Sequence, residues 1–377
     1  MFTLLACMSR TEATGGGDAR ADTERGDTGA DTAESPPFDC TQPPDPDRGM
    51  EIAALMARLE SQRCLGAEDI AAVEAFMSER YAQSTVYCDV VYRMSSPDGL
   101  VFDGPSERVI EHASVPDVVI TDSGEHVVVY NDVTPGRLVE LLRSDPERFW
   151  RQGLLGWGGM GMSVGSAESS AFEEVADLDL NLERLMRVVD PDLGRKPDGA
   201  WHAAWFGIQV EDGMENGALH SNQPHKFFRG SSADLRTFGT PVVAAASTEG
   251  STGGADPTIL DLADGGEILY VGPLDNTALG WSSPDGVTWN AEGGADVDSQ
   301  VPTATPDAMA DPRGDYRMHY MRNGDFGNFE VARSKDGRVW ESGATMIRTQ
   351  TGFNLSVARG PDGVWWLYYN ETDPDCM

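Results

Sequence analysis

The sequence predicts an all-β fold: a five-bladed β-propeller closed by N- and C-terminal strands, with a small N-terminal helical hairpin before it. Three observations predict it. A Ser-x-Asp-Gly-x-x-aromatic motif returns as "SSPDGLVF" (95–102), "SSADLRTF" (231–238), "SSPDGVTW" (282–289) and "SKDGRVW" (334–340), with a decayed copy, "SAESSAF", at 166–172. A ten-residue motif alternates with it: "VPDVVITDSG" (115–124), "DPDLGRKPDG" (190–199), "DPTILDLADG" (256–265), "TPDAMADPRG" (305–314) and "NLSVARGPDG" (354–363), where Leu355 replaces Pro. An apolar or aromatic run such as "GEILYVGP" or "VWWLYYNE" follows each copy of the second motif. Five copies of each motif in alternation mean five small antiparallel sheets, and sheets that cannot bury both faces alone stack around an axis.

The chain begins "MFTLLAC", in which Leu-Leu-Ala-Cys matches the cleavage box of a bacterial lipoprotein, with Cys7 as the acylated residue. The apolar stretch is shorter than a full secretory signal and lacks a basic n-region, so 1–7 reads as a truncated lipoprotein signal. Residues 8–47 are rich in Gly, Asp, Thr and Ala and poor in large apolar side chains, the composition of a disordered acidic tether. Together they predict an exported protein, lipid-anchored at the bacterial cell envelope, that meets the membrane only through its anchor.

Residues 48–83 read as a helical hairpin. Ile52, Leu55, Met56 and Leu59 share one face of its first helix, and Ile70, Val73, Phe76 and Met77 one face of the second. Leu65-Gly66 is the stop between them. The propeller takes 84–377. Its chain begins with outer strands ("STVYCDVVYRMSSPDGLVF") and finishes with inner ones ("LSVARGPDGVWWLYYNE"), so both ends build the last blade. Besides Cys7 there are Cys40, Cys64, Cys88 and Cys376, an even set that predicts two disulfides in an exported chain, with three connectivities open. Cys88 and Cys376 fall on the two pieces of the last blade, where a bond would clasp the ring; Cys40–Cys64 would staple the hairpin.

Of the 377 residues, 28 are Lys or Arg and 62 are Asp or Glu, a formal net charge of −34. So acidic a surface repels phosphate backbones and anionic lipid headgroups, which argues against nucleic-acid and peripheral membrane binding. In the turn motif the Asp accepts backbone N–H bonds, the Gly takes the left-handed position and the aromatic packs between blades, so the motif reports fold.

The turns resemble the Asp boxes of sialidases and related propellers. The Pro-Asp and Asp-Pro openings resemble those of five-bladed glycoside hydrolases such as arabinanases, xylosidases and fructosidases. The resemblance covers Ser84 to the C-terminus and implies carbohydrate as the partner, a monomer, and a site at the axial mouth. The family's pattern places a base Asp on blade 1, a tuning Asp on blade 2 and an acid Glu on blade 3. Carried over by position, Asp117 is the base and Asp192 the tuner, while blade 3 departs from the pattern with Thr258 beside Asp256 and no Glu. Glu211 and Glu215, in "VEDGMENGALHSNQPH", lie on the preceding loop and could supply an acid.

The aligned positions carry Asp117, Asp192, Thr258, Asp307 and Ser356; those two residues earlier carry Val115, Asp190, Asp256, Thr305 and Asn354. Carboxylates converging on one cavity repel one another and separate their pKa values, which lets one act as acid and another as base across a glycosidic bond. Asp117, Asp192 and Asp307 are therefore the candidate catalytic set, with Asp190, Asp256, Glu215, His220 and His225 as candidate substrate contacts. No cofactor is specified by the sequence, and so oxygen-rich a group suits calcium. Trp201, Trp205, Trp365 and Trp366 read mainly as packing residues. The insertion 134–150 reads as short helices beside blade 1. Arg229 and Arg333 precede turn motifs and form no arginine cluster, which argues against a sialidase. Two functions stay open: a glycoside hydrolase, or a non-catalytic propeller that binds glycan or protein.

Overall fold

The computed structural model describes residues 88–134, 159–177, 186–196, 199–209, 226–235, 237–246, 254–273, 277–322, 327–341, 345–348 and 352–373, with short pieces and single positions between them. The helical hairpin, the tether, Cys7, Cys40, Cys64, and nearly all of the 134–150 insertion lie outside the described residues.

Five antiparallel sheets are present, one per repeat. From the axis outward, blade 1 is Ala113–Ile120, Glu125–Asp132, Met160–Ser166 and Ser169–Asp177. Blade 2 is Met186–Arg195, Trp201–Gln209, Lys226–Ser232 and Val242–Ala246. Blade 3 is Gly254–Asp261, Glu267–Pro273, Leu279–Ser283 and Val297–Asp298. Blade 4 is Thr303–Ala310, Tyr316–Arg322, Asn328–Ser334 and Trp340–Glu341, and Thr345–Arg348 also pairs with its third strand. Blade 5 takes its inner pair, Phe353–Arg359 and Trp365–Thr372, from the C-terminal end and its outer pair, Asp89–Ser96 and Glu107–Glu111, from the N-terminal side. The inner strands touch in the cycle 1–2–3–4–5–1, so the ring is closed.

Each sheet is sandwiched between neighbours, and its central strands are buried on both faces. Ile268, Leu269, Tyr270 and Val271 are consecutive and all buried, the continuous pattern expected of a sheet covered on both sides. The core is a set of seams. Val129, Leu193, Trp205 and Phe228 fill the one between blades 1 and 2, and Leu260, Tyr270, Met318 and Trp340 the one between blades 3 and 4. Met94, Phe329, Leu355 and Trp365 join blades 4 and 5; Val91, Val118, Val128 and Tyr368 join blades 5 and 1.

Two turns recur at the end of the ring opposite the inner-strand openings. The hairpin from first to second strand closes through a left-handed glycine in all five blades: Gly124, Gly199, Gly265, Gly314 and Gly363. Each donates its N–H to the carbonyl three residues earlier. The Ser-x-Asp-Gly turn joins third to fourth strands. In blade 3, Ser283 Oγ accepts the Gly286 N–H (2.9 Å), and Asp285 Oδ1 accepts those of Val287 (2.9 Å) and Thr288 (2.6 Å). Asp98 and Asp336 repeat the pattern. The aromatic that closes each motif is buried at Phe102, Phe238 and Trp340. Blade 2 places Leu235 at the glycine position with φ 68°, and its side chain is buried beside Trp205 and Phe238.

Neighbouring blades hold the turns from the side. Arg93 of blade 5 donates to the Ser166 and Ser169 carbonyls of blade 1 (2.7 and 2.9 Å), gripping the decayed copy. Arg317 of blade 4 donates to the Asp98 and Gly99 carbonyls of blade 5 (2.9 and 3.1 Å). The Tyr270 hydroxyl of blade 3 donates to the Gly337 carbonyl of blade 4 (2.5 Å). Between blades 2 and 3, Glu267, fully buried, receives Arg229 (2.7 Å) and Lys196 (2.6 Å). Burial pushes the Glu267 carboxyl up, but the two cations outweigh it and leave it below the usual range.

Cys88 and Cys376 are joined, as expected from their positions, by a disulfide that closes a loop of 288 residues. Replacing Cys88 with Ser should lower stability by about 2–5 kcal/mol, read from urea denaturation with and without reductant; reductant should cost the variant less stability than it costs the unaltered chain. A Cβ on Gly286 (φ 71°) would stand 2.3 Å from Glu267 Oε1. Gly286→Ala should therefore cost about 1–3 kcal/mol in the same assay.

Candidate functional site at the axial mouth

The aligned positions form a closed relay around the axis. Asp117 Oδ2 accepts the Leu193 N–H of blade 2 (2.6 Å), and Asp192 Oδ2 accepts the Ile259 N–H of blade 3 (3.0 Å). Thr258 Oγ1 accepts the Ala308 N–H of blade 4 (3.1 Å), and Asp307 Oδ2 the Val357 N–H of blade 5 (2.6 Å). Ser356 Oγ accepts the Val118 N–H of blade 1 (3.1 Å), which completes the circle, and donates to Asp117 Oδ1 (2.7 Å). Each blade thus offers one side-chain oxygen to the N–H just past the aligned residue of the next.

This geometry brings the three candidate catalytic aspartates together. Carboxylate oxygens of Asp117, Asp192 and Asp307 lie within 4.8 Å of one another, and each residue is 7% exposed. The spacing is tighter than the roughly 6.5–9.5 Å that an inverting pair leaves for its water. Burial pushes Asp117 up to about 6, against the hydrogen bonds from Ser356 and Leu193. Asp192 and Asp307 are raised well above the usual range by burial and then by the Asp117 charge. Three carboxylates so placed cannot all ionise together. A calcium ion asks for six to eight oxygens. Both Asp117 oxygens and one each on Asp192 and Asp307 already hold donors, so these residues fit a hydrogen-bond relay better than a calcium shell.

The positions two residues earlier carry the bulges beside the relay. Val115, Asp190, Asp256 and Asn354 all have left-handed backbones, with φ of 51°, 57°, 49° and 45°. Each inner strand slips register beside them, so a bulge turns the strand at the mouth. Blade 4 slips at Thr303/Thr305 without a left-handed residue. Two asparagines hold the bulges. Asn131 Oδ1 accepts the Asp190 N–H (3.0 Å) while its Nδ2 donates to Asp190 Oδ1 (3.2 Å). Asn370 Oδ1 accepts the Val115 N–H (3.2 Å), and its Nδ2 donates to the buried Asp89 (3.2 Å). Asp190 Oδ2 receives the Asp256 N–H at a long 3.5 Å. Burial first, and the Asp190 charge second, push the Asp256 carboxyl well above the usual range.

Asp190 and Asp256 are both partly exposed, unlike the relay aspartates below them. Glu215 lies on a two-residue strand, Met214–Glu215, whose side chains are not described; Glu211, His220 and His225 lie outside the described residues. Trp205 stacks on Phe228, Trp365 lies under Arg317 and Trp366 under Arg93, as expected of packing residues. Arg229 is buried against Glu267. Asn131, Asn370 and Asp89 were not singled out by the sequence. Asn131 and Asn370 do share one signal, an Asn late in the second strand of "EHVVVYND" and "VWWLYYNE".

No protein-family profile and no curated protein matches the chain. Similar solved structures include a GH43 protein from Bacillus licheniformis (13% identity, TM-score 0.45, covering 68% of this chain and 48% of that one). Another is an alpha-L-arabinanase from Penicillium chrysogenum (14% identity, TM-score 0.43, 73% and 76%). A third is a family 117 glycoside hydrolase from Zobellia galactanivorans (10% identity, TM-score 0.45, 78% and 93%). The chain thus spans about half the length of the Bacillus protein. At such identities the five-blade assignment stands on this chain's own strand pairing.

The relay makes a pH prediction. The folded Asp117 carboxyl titrates near 6, above the usual 3.8, so the stability it contributes is fully present below about pH 4 and is lost as pH rises through about 6. Asn at this position keeps one acceptor for Leu193 and removes the charge. Asp117→Asn should raise Tm by about 2–6 °C at mildly alkaline pH, and the gain should shrink as the solution is acidified. A loss of Tm that is equal at every pH would contradict this.

Proposed function

We propose that this chain is a glycan-active propeller, displayed at the cell envelope through Cys7, that cleaves glycosidic bonds at the rim of its mouth. The observation that supports the reading is the Asp190–Asp256 pair. Asp190 accepts N–H groups from Asn131 and from the Asp256 backbone. Burial and the Asp190 charge push the Asp256 carboxyl up, which favours its protonated form. Unlike protonation states on adjacent carboxyls are what acid-assisted glycoside cleavage requires. Asp256 would protonate the leaving oxygen, and Asp190 would stabilise or attack the sugar carbon or activate water. The relay aspartates below would set the position of this pair without touching substrate.

A second reading, a non-catalytic glycan-binding propeller, is favoured by one residue. Val115 stands at the rim of blade 1, so the rim lacks a carboxyl there. Aryl glycosides and plant and bacterial polysaccharides assayed with purified protein separate the two. The expected result is hydrolysis of at least one substrate, with kcat falling about 100-fold or more in Asp256→Asn and Asp190→Asn. Asp117→Asn should stay within a few-fold of wild type. Binding without turnover would select the second reading, and a 100-fold loss in Asp117→Asn would return the base to the relay.

A further inference from the structure

Blade 5 joins two distant parts of the chain, and one buried carboxyl stands where both meet blade 1. Asp89, 0% exposed, opens the N-terminal strand Asp89–Ser96. Its Oδ1 accepts the Thr372 hydroxyl (3.0 Å) and its Oδ2 accepts from Asn370 Nδ2 (3.2 Å), both on the C-terminal strand Trp365–Thr372. The Ser114 hydroxyl, on the inner strand of blade 1, is its third donor. Asn370 also holds the bulge at Val115. One side chain therefore ties together the N-terminal strand, the C-terminal strand and the first blade.

The preceding residue makes the same junction covalently. Cys88 is buried and Cys376, its disulfide partner, is exposed, so a reductant can approach from the Cys376 side. The Cys88 carbonyl accepts the Asp373 N–H (2.8 Å), which sets the two chain ends side by side.

Among the described residues no cation pairs with Asp89. On its own strand Arg93 is taken by Glu107 (2.8 Å). Arg108, on the outermost strand, serves Asp373 (2.7 Å) and Glu111 (3.3 Å). Asp132, across from Ala113 in blade 1, has Arg137 (3.4 Å), while Glu371 and His112 have partners of their own. Burial therefore outweighs the hydroxyl donors and pushes the Asp89 carboxyl up to about 6. The sign follows from linkage: the stability Asp89 contributes is fully present below about pH 4 and is lost as pH rises through about 6.

We propose that this junction is a latch with two keys: the N-terminal strand opens from the ring when a dithiol reductant has cleaved Cys88–Cys376 and Asp89 has given up its proton. In the first step a thiolate of the reductant attacks the Cys376 sulfur, and Cys88 leaves as a thiolate and takes a proton. The second thiol of the reductant then displaces Cys376. The protein gains two electrons and two protons, and the reductant closes into a disulfide. In the second step the bare carboxylate, dry and without a counter-charge, weakens the contact between blades 5 and 1 and loosens the Val115 bulge through Asn370.

Amide hydrogen exchange on the full chain, corrected for intrinsic rates and followed by peptide between pH 4.5 and 7.5, tests this without any substrate. The strand Glu267–Pro273 of blade 3 is the internal reference. With the disulfide intact, Asp89–Ser96 should keep pace with that reference. In the reduced protein, and in Cys376→Ser without reductant, its protection relative to the reference should fall about 20-fold across the range and level off above about pH 6. Asp89→Asn in the Cys376→Ser background should remove the pH dependence. If that double variant does not fold, the levelling near pH 6 in Cys376→Ser alone carries the test. An unchanged slope in the double variant, a fall that continues evenly through pH 7.5, or the same fall with the disulfide intact would each overturn the latch. So would loss of protection in blade 3 in step with Asp89–Ser96, which means that the whole ring unfolds.

Discussion

One interaction, repeated five times, organises the molecule: a side-chain oxygen at the axis takes the backbone N–H of the following blade. An inner strand sits where its sheet has no further strand to pair with, and the relay gives one N–H per blade a partner. Leaving such a group dry and unpaired costs about 1–3 kcal/mol, so the set is a large fraction of the margin by which any fold exists. Thr258 and Ser356 do the work with hydroxyls, which shows that charge is not what the relay needs. The three aspartates do the same at a higher desolvation cost, and their proximity is a consequence of ring geometry before it is anything catalytic.

The outer part of the ring follows a different rule. There the turn closes on itself through Ser, Asp and Gly, and the neighbouring blade adds a donor to the turn's outward carbonyls. Arg93 supports the copy in blade 1 that has lost its Asp-Gly, so the blade with the weakest internal turn receives the strongest external grip. Glu267 gathers Arg229 and Lys196 in the seam between blades 2 and 3. The blades are thus joined near the axis by short backbone-directed bonds and farther out by long cationic or phenolic side chains.

Much of this was legible because it is local. The five left-handed hairpin glycines, the alternation of motifs, the shared last blade and the Cys88–Cys376 bond all follow from spacing along the chain. Depth was not legible. Alignment placed Asp117 and Asp190 at neighbouring positions of one motif, but only the bulge decides that one is buried and the other partly exposed. The sequence shows Pro between them and not the left-handed residue before it. Arg93, Arg317 and Tyr270 were invisible for another reason: they perform one task from different strands, so no repeat marks them. The loop carrying His220 and His225 has no periodic signal, and nothing in its spacing fixes where those rings point.

The shared blade imposes an order on events in time. Asp89–Ser96 is made before blades 1 to 4, and its partner Trp365–Thr372 only after them. The ring therefore stays open until that second half of blade 5 arrives, with the relay missing its Ser356 link and one seam unfilled. A ring that locks only on its fifth blade remains threadable until that blade is whole.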